Sequence, residues 1–529
     1  MEFNRVDMVL VNGIILTMDN KDTVVQGIAV REGKIVHLGR SDEVQSLANK
    51  RSQVIDLRGK TVVPGFIYTH THIDMYGMMT SNLAVSCHIP PLHSVEDILQ
   101  GIKEKAASLP KGSLIMGQGR PFQPYPTIEQ LDQAAPKHPV IIKASMHWYL
   151  LNHLAMKRFN ITKKSPTPKK LLATDPCGFI KRDPKTHEPT GYLEECWNYM
   201  FPDSQSPLPY EETRRVIKEG LDKASRYGLT SVVEFLNHPE SLRIYQDLYK
   251  KGELNVRLQL VPCFYGVYKV VEMDEVIHAG LTSGFGNDWV KFGGIKVFLD
   301  THQLKTSCTP EQIDGWFSKA HRAGLRMFMH AISKPAQDMG LRAIEEEASA
   351  SGPDGIRAMR HRIEHMGIEC HDPDFFRRAK NLNVIPVPTA YFMNMGPGTL
   401  VTPRTEKSFL FRTLLGMGFS VPGNSDTAGA VPEALDPMYE IWCMVNRRSL
   451  EGNLVSPSEK ISVMEALKVY TLHSAYAGCE EETKGSIEVG KLADFVVLSQ
   501  DPLKTPEEKL REIKVEMTIA GGRVVYPKP

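Results

Sequence analysis

The stretch VVPGFIYTHTH, residues 62–72, is an apolar run that ends in two histidines. Its apolar and β-branched residues, bounded by turn signals, read as a buried strand. Residues two apart on a strand face the same side. His70 and His72 can therefore reach one metal ion. An H-x-H pair alone is a weak signal, because paired histidines also occur in ordinary loops. Its meaning depends on what lies elsewhere in the chain.

Further buried-looking strands follow: TSVVEFL, VRLQLVPCF, GIKVFLD, RMFMHA, HRIEHM, VIPVPTA and FSVPGNSD. Helical stretches separate most of them, for example SKPAQDMGLRAIEEEASA after RMFMHA. Alternating strand and helix is the pattern of a parallel α/β fold. With VVPGFIYTH there are eight candidate strands, the number that closes a (β/α)₈ barrel. The expected fold is α/β, a distorted (β/α)₈ TIM barrel.

The two ends of the chain share a different texture. DMVLVNGIILTMDN, GIAVREGKIVHLG and VIDLRGKTVVPG near the N-terminus alternate apolar and polar residues between Asn-Gly and Glu-Gly turns. GSIEVGKLADFVVLS and VEMTIAGGRVVYP do the same near the C-terminus. Neither end is long enough for a sandwich alone, so the expectation is one composite β-sandwich from residues 1–63 and 480–529. Residues 64–74 and 210–479 would form the barrel. The gap 75–209 is too long for one helix and carries its own strand-like pieces, SLIMGQGR and PVIIKAS. It reads as a subdomain inserted after the first strand, near the mouth of the barrel.

Polar residues sit at the ends of several of these strands. Lys296 lies in GIKVFLD, His330 in MFMHA, His365 in RIEHM and Asp426 in PGNSD. Catalytic groups of such barrels occupy the C-terminal ends of the strands. Core packing alone would favour Val or Ile at these places. Four histidines and a carboxylate suit Zn²⁺ or a similar divalent ion. Taken singly, each could instead be a satisfied core histidine or a helix-capping aspartate.

These pieces together resemble the amidohydrolase superfamily, and within it the YtcJ-like or amidohydrolase-3 family. VVPGFIYTHTH, IKVFLD, MHA, HRIEH, GNSD and the closing GSIEVGKLADFVVL carry the resemblance across nearly the whole chain. It implies that His70 and His72 bind the more buried metal, and His330 and His365 the more exposed one. It further implies that Lys296, when carboxylated, bridges them, and that Asp426 contacts the buried metal and handles the proton. One or two Zn²⁺ ions are implied, with Fe²⁺ or Mn²⁺ as alternatives. The chain departs from the family's pattern at Tyr68-Thr69 before H-x-H, at Asp300-Thr301-His302 after strand four, and at Gly423-Asn424-Ser425-Asp426.

The chemistry expected of such a site is hydrolysis of a C–N bond in an amide, N-formyl group or cyclic amide of a small organic molecule. A divalent ion lowers the pKa of water from about 15.7 toward 7. Asp426 would take the water's proton and pass it to the leaving nitrogen. A neutral Lys296 amine could take up carbon dioxide to give a bridging carbamate; the alternative is an ammonium paired with Asp300 or Glu234. Without a carbamate, Glu194 or Glu195 of GYLEE could supply a carboxylate, or the site could hold one metal. In the insertion, His147 of KASMHWYLLN is a candidate contact for the substrate carbonyl or oxyanion. Trp148, Phe122, Tyr125 and the run Tyr391, Phe392, Met393 are candidates for an apolar substrate pocket.

The other readings are a deaminase of the same superfamily and a non-catalytic scaffold. Against the first, AISKPAQD after strand five lacks His-x-x-Glu; against the second, every candidate ligand is present. The 529 residues carry 63 Lys and Arg against 62 Asp and Glu, a balance that gives no support to nucleic acid as the partner. The N-terminal segment has acidic and polar residues where a signal peptide needs an apolar core, and no run has the length of a membrane helix. The 8 cysteines form no C-x-x-C pair. A cytoplasmic homodimer acting on a small molecule is the expectation.

Overall fold

The structure is a computed structural model. It describes residues 6–527 except 90, 121–122, 145–146, 166–178, 202–205, 267, 302–303, 369–371, 395–406, 428–430 and 450. Phe122 and His302 lie outside the described residues.

The decisive stretch serves two sheets. Thr61–Pro64 and Phe66–Thr71 are separate strands, divided at Gly65. A Cβ on Gly65 would lie 2.1 Å from Thr230 Oγ1, so only glycine lets the chain pass this close to the neighbouring strand as it changes sheet.

Phe66–Thr71 begins a curled parallel sheet. Its neighbours in order are Leu229–Leu236, Arg257–Tyr265, Ile295–Phe298, Met327–His330, Arg362–Glu364 and Ile385–Val387, with Val290–Phe292 pairing beside Arg257–Tyr265. These strands are short, apolar and almost wholly buried, as strands covered on both faces must be. FSVPGNSD, expected as the eighth strand, forms none. Pro422 has no N–H to give to a ladder. The segment still lies across the gap. Thr69 N donates to Gly423 O at 3.0 Å, and Asn424 Nδ2 donates to Pro388 O at 3.2 Å. The hydrogen-bonded sheet is thus a curled half-barrel whose open side carries an irregular segment ending at Asp426.

Thr61–Pro64 belongs to a six-stranded sheet that contains chain from both ends. It lies between Ile14–Leu16 and Phe495–Leu498, and Val515–Ala520 and Arg523–Tyr526 continue the sheet. Met8–Val11, Gly27–Arg31, Lys34–Gly39 and Gln53–Asp56 form a four-stranded sheet. Leu10, Ile28 and Val30 from the smaller sheet share one buried cluster with Ile15, Val62, Phe495 and Ile519 from the larger.

The pieces SLIMGQGR and PVIIKAS are strands Ile115–Gly119 and Val140–Ala144 of another six-stranded sheet. In it Trp148–Leu151 pairs antiparallel with Pro189–Glu194, with Trp148 opposite Glu194. No helix among the described residues is long and apolar enough to cross a membrane.

A buried ion pair ties the C-terminal chain to the curled sheet. Arg257 Nε donates to Asp494 Oδ2 at 2.8 Å and its Nη2 donates to Oδ1 at 3.0 Å; Gly521 N also donates to Oδ1, at 2.7 Å. Removing one charge of a buried pair leaves the other uncompensated, at a typical cost of about 3–5 kcal/mol. Asp494→Asn should lose stability on that scale in urea unfolding. A loss under about 1 kcal/mol would show that the pair does not join the two regions energetically.

Candidate functional site

His70 closes the strand Phe66–Thr71, while His72 lies one residue beyond it and caps the helix Ile73–Thr80. The expected same-face relation on one strand is therefore replaced by a strand-to-helix turn. The outcome is the same convergence. His70 Nε2 lies 3.4 Å and His72 Nε2 3.3 Å from Asp426 Oδ1. The three side chains can offer one atom each to a single ion.

The outer nitrogens fix the tautomers. His72 Nδ1 lies 3.0 Å from Phe235 O, a carbonyl that can only accept, and 3.1 Å from Asn237 Nδ2, whose two protons go to Asp74 Oδ1 and Phe235 O. His70 Nδ1 lies 2.7 Å from Glu364 Oε2, and Glu364 is itself gripped by Arg362 at 2.7 and 2.9 Å. Both Nδ1 atoms thus carry the proton, and both Nε2 atoms present lone pairs. Three electron-rich atoms face one another inside the protein, and Asp426 Oδ1 has no hydrogen-bond partner. Such an arrangement fits a cation of the Zn²⁺ type, with imidazole and carboxylate ligands.

His330 and His365 adjoin this group. His365 Nδ1 donates to Thr389 Oγ1 at 3.2 Å, because the Thr389 hydroxyl donates onward to Asn424 Oδ1 at 3.0 Å. That leaves His365 Nε2 as a lone pair, 3.1 Å from His330 Nδ1 and 3.7 Å from Asp426 Oδ2. His330 Nε2 is buried without a hydrogen-bond partner, 3.5 Å from Asp300 Oδ1. A second ion could be held here by the same donor chemistry.

Lys296 Nζ is buried 3.2 Å from His70 Nε2 and 4.0 Å from the centre of the Phe235 ring. Burial lowers its amine to about 8, against the opposing pull of Glu364 and Asp426. The alternative reading of Lys296, an ammonium paired with Asp300 or Glu234, is not what forms. Asp300 accepts from Ile332 N and Ser333 N, the latter at 2.7 Å. Glu234 accepts from Thr71, Ile73, Asp74 and Tyr245 at 2.7–3.0 Å. Both carboxylates have backbone N–H groups within reach, which Lys296 cannot match. Burial still raises Asp300 to about 7 and, with Asp74 beside it, Glu234 to about 8. Asp426 is held below its ordinary value: burial pushes it up, and His72, His365 and Lys296 more than offset this.

Backbone strain gathers at the site. His365, Asp426 and Thr427 have φ of 72°, 64° and 39°, in the left-handed region that non-glycine residues avoid. Thr427 Oγ1 accepts from His72 N at 2.7 Å, which ties the strained segment to the turn between the two histidines.

The remaining candidates lie within residues 75–209 and just after the strand Ile385–Val387. His147 Nδ1 lies 2.8 Å from Glu195 Oε1, and its ring centre is 6.5 Å from that of His330. Trp148 is half-buried on the next strand residue. Tyr391 is buried, with its hydroxyl 3.5 Å from Arg120 Nη1; Phe392 stacks on His365 with ring centres 5.4 Å apart. Met393 is buried too. Tyr125 donates its hydroxyl to Arg120 O and packs, partly buried, against the core beside the six-stranded sheet of Ile115–Gly119 and Val140–Ala144. Glu194 is the strand partner of Trp148. Sequence reasoning missed Glu364, Arg362, Phe235 and Thr389. The alternation in RIEH placed Arg362 and Glu364 on one face, and that was the available signal for a supporting carboxylate.

Burial holds His70, His330 and His361 well below the ordinary imidazole value and His365 at about 3. Unfolded imidazoles titrate near 6.5. Below that pH the unfolded imidazoles bind protons that these four do not, so their contribution to stability falls as pH falls, while the raised Asp300 and Glu234 take up protons in the folded state over the same range and oppose it. The ring signals of these four histidines in metal-free protein should therefore show no protonation between about pH 7.5 and about pH 5.5 in an NMR titration. A ring among them that titrates in that range would contradict the neutral, buried histidines.

Comparison with known proteins agrees with this geometry. A family model described as the amidohydrolase family matches residues 53–526. An N-substituted formamide deformylase of Arthrobacter pascens is 26% identical, aligned over 99% of this chain and 98% of its own. The YtcJ protein of Bacillus subtilis (strain 168) is also 26% identical, over 98% of each chain. In fold, a metal-dependent hydrolase from Pyrococcus furiosus superposes with a TM-score of 0.71 at 22% identity, covering 94% of this chain and 100% of that one. With the family model spanning most of the sequence, the chain belongs to the amidohydrolase family.

Proposed function

We propose that this amidohydrolase cleaves the C–N bond of an N-formyl compound, an amide or a cyclic amide of small size. The observation that carries the reading is the convergence of His70 Nε2, His72 Nε2 and Asp426 Oδ1, with both histidine protons committed to Phe235 and Glu364. His70, His72 and Asp426 would hold one divalent ion, with Zn²⁺ the first choice and Fe²⁺ or Mn²⁺ as alternatives. His330, His365 and a carboxylated Lys296 would hold a second. A bound divalent ion supplies two things, water made acidic enough to ionise near neutral pH and a polarised carbonyl.

The chain's own residues do the rest. Asp426 is ionised, has one oxygen without a hydrogen-bond partner, and sits among the histidines. It takes the proton of the attacking water as the carbonyl carbon becomes tetrahedral. Phe392, stacked on His365, excludes water from one side. His147 stands near His330 as a substrate contact, with Trp148 and Tyr391 as further contacts of the insertion and the mouth. Burial lowers Lys296 to about 8, which brings the neutral amine that carbamate formation requires closer to reach near neutral pH. The full-length formamide deformylase relative favours a formamide over other amides. The deaminase reading has no His-x-x-Glu after His330 to support it. Around this centre we read residues 1–63 and 480–529 as one composite β-sandwich, 64–74 and 210–479 as the barrel, and 75–209 as the inserted subdomain.

Metal-loaded protein should release formate or a carboxylate from a panel of N-substituted formamides and amides. Asp426→Asn should keep the fold and most of the metal, and lose about 10²–10⁴-fold in rate, the usual cost of removing an acid–base group. His70→Ala should lose metal content and activity together. An Asp426→Asn protein with full metal and near wild-type turnover would remove Asp426 as the base. A wild-type protein that releases ammonia from aminated heterocycles and leaves every amide intact would favour the deaminase.

A further inference from the structure

His147 and Glu195 form a dyad whose place is set by the inserted sheet. Trp148 pairs with Glu194 across the ladder, so His147 and Glu195 are the next residues past its end. Glu195 N donates to His147 O at 2.8 Å, and the side chains join through His147 Nδ1 and Glu195 Oε1, also at 2.8 Å. Glu195 has φ of 54° and a side chain only 3% exposed. A buried carboxylate on strained backbone is a costly feature. Here it is spent on holding one imidazole. The carboxylate can only accept, so Nδ1 carries a proton and Nε2 is the working nitrogen.

The dyad faces the site described above. The His147 and His330 ring centres are 6.5 Å apart. The His147 side chain is 17% exposed, against 1% for His70 and 0% for His365. It is therefore neither a deeply buried ligand nor a surface residue. Asp426 lies at the end of the irregular segment and is hemmed in by His70, His72 and His365.

We propose that the proton tasks are divided, with Asp426 as the base and His147 as the acid that protonates the leaving nitrogen, and with Glu195 as its positioning residue. This rests on the C–N hydrolysis proposed above. As water adds to the carbonyl carbon, one of its protons passes to Asp426. When the tetrahedral species collapses, the C–N bond breaks and its electron pair goes to nitrogen. The nitrogen takes the Nε2 proton of the His147 imidazolium, giving the free amine and the carboxylic acid. The acid ionises to solvent. The proton on Asp426 returns through water to His147, which restores both groups. Glu195 stabilises the imidazolium and fixes its direction.

The test is leaving-group dependence. A series of N-aryl formamides would be used, from formanilide to its p-nitro derivative, with N-benzylformamide as the poorest leaving group. His147→Asn and Glu195→Gln would be compared with wild type, each with metal content measured by mass spectrometry. The division predicts unchanged metal content in both variants. It predicts a His147→Asn loss in kcat/KM of about 10²–10⁴-fold for N-benzylformamide, shrinking steadily toward the p-nitro derivative, whose nitrogen depends least on a proton to leave. Glu195→Gln should show the same trend with a smaller loss. Equal losses across the series would overturn the proposal, because an oxyanion contact or a structural role affects all leaving groups alike. Loss of metal in His147→Asn would also overturn it, by making His147 a ligand. Failure of the wild type on every formamide and amide would refute the proposed function and this assignment with it.

Discussion

The site depends on two hydrogen bonds that point away from it. His70 gives its Nδ1 proton to Glu364 and His72 gives its own to Phe235 O. Without these bonds either ring could turn its proton inward and cap Asp426, and the cluster would be a satisfied polar core. With them, two lone pairs and a carboxylate oxygen face one another beside the Lys296 amine, and a divalent cation fits the donor set. Glu364 can serve because Arg362 neutralises it in a fully buried pair. The residues touching the reaction are few, and the chain that aims them is long.

The same constraint explains the irregular open side of the sheet. A regular eighth strand would carry its side chains in alternation. Asp426 and Thr427 instead sit in left-handed backbone, which directs Asp426 to both His70 and His72 and lets Thr427 anchor the turn between them. The strain is tolerated because flanking contacts to Gly423, Asn424 and Thr389 hold the segment on both sides. A convergent His–His–Asp group and a weak strand go together here.

Much of this was legible in the sequence. VVPGFIYTHTH, GIKVFLD, MHA and RIEH carry both the strand pattern and the site residues, because a barrel strand displays chemistry at its end while burying its length. The alternation at both chain ends correctly marked short strands, and Thr61–Pro64 pairs directly with the C-terminal Phe495–Leu498. The less legible parts depend on atoms far apart in sequence. The break at Gly65 is set by Thr230, and the loss of the eighth strand by Pro422 and a strained aspartate. The alternative pairing of Lys296 with Asp300 or Glu234 does not form because these carboxylates take backbone N–H groups that no side-chain pattern displays. The link between Glu195 and His147 follows from strand register, which is fixed only once the insertion folds.

The central claim is that these lone pairs hold a catalytic ion, and anomalous X-ray scattering at a metal absorption edge tests it most directly. Crystals of protein loaded with Zn²⁺ should show a peak roughly 2.0–2.2 Å from His70 Nε2, His72 Nε2 and an Asp426 oxygen. A saturated crystal with no peak among these atoms, or with its ion bound elsewhere, would contradict the account.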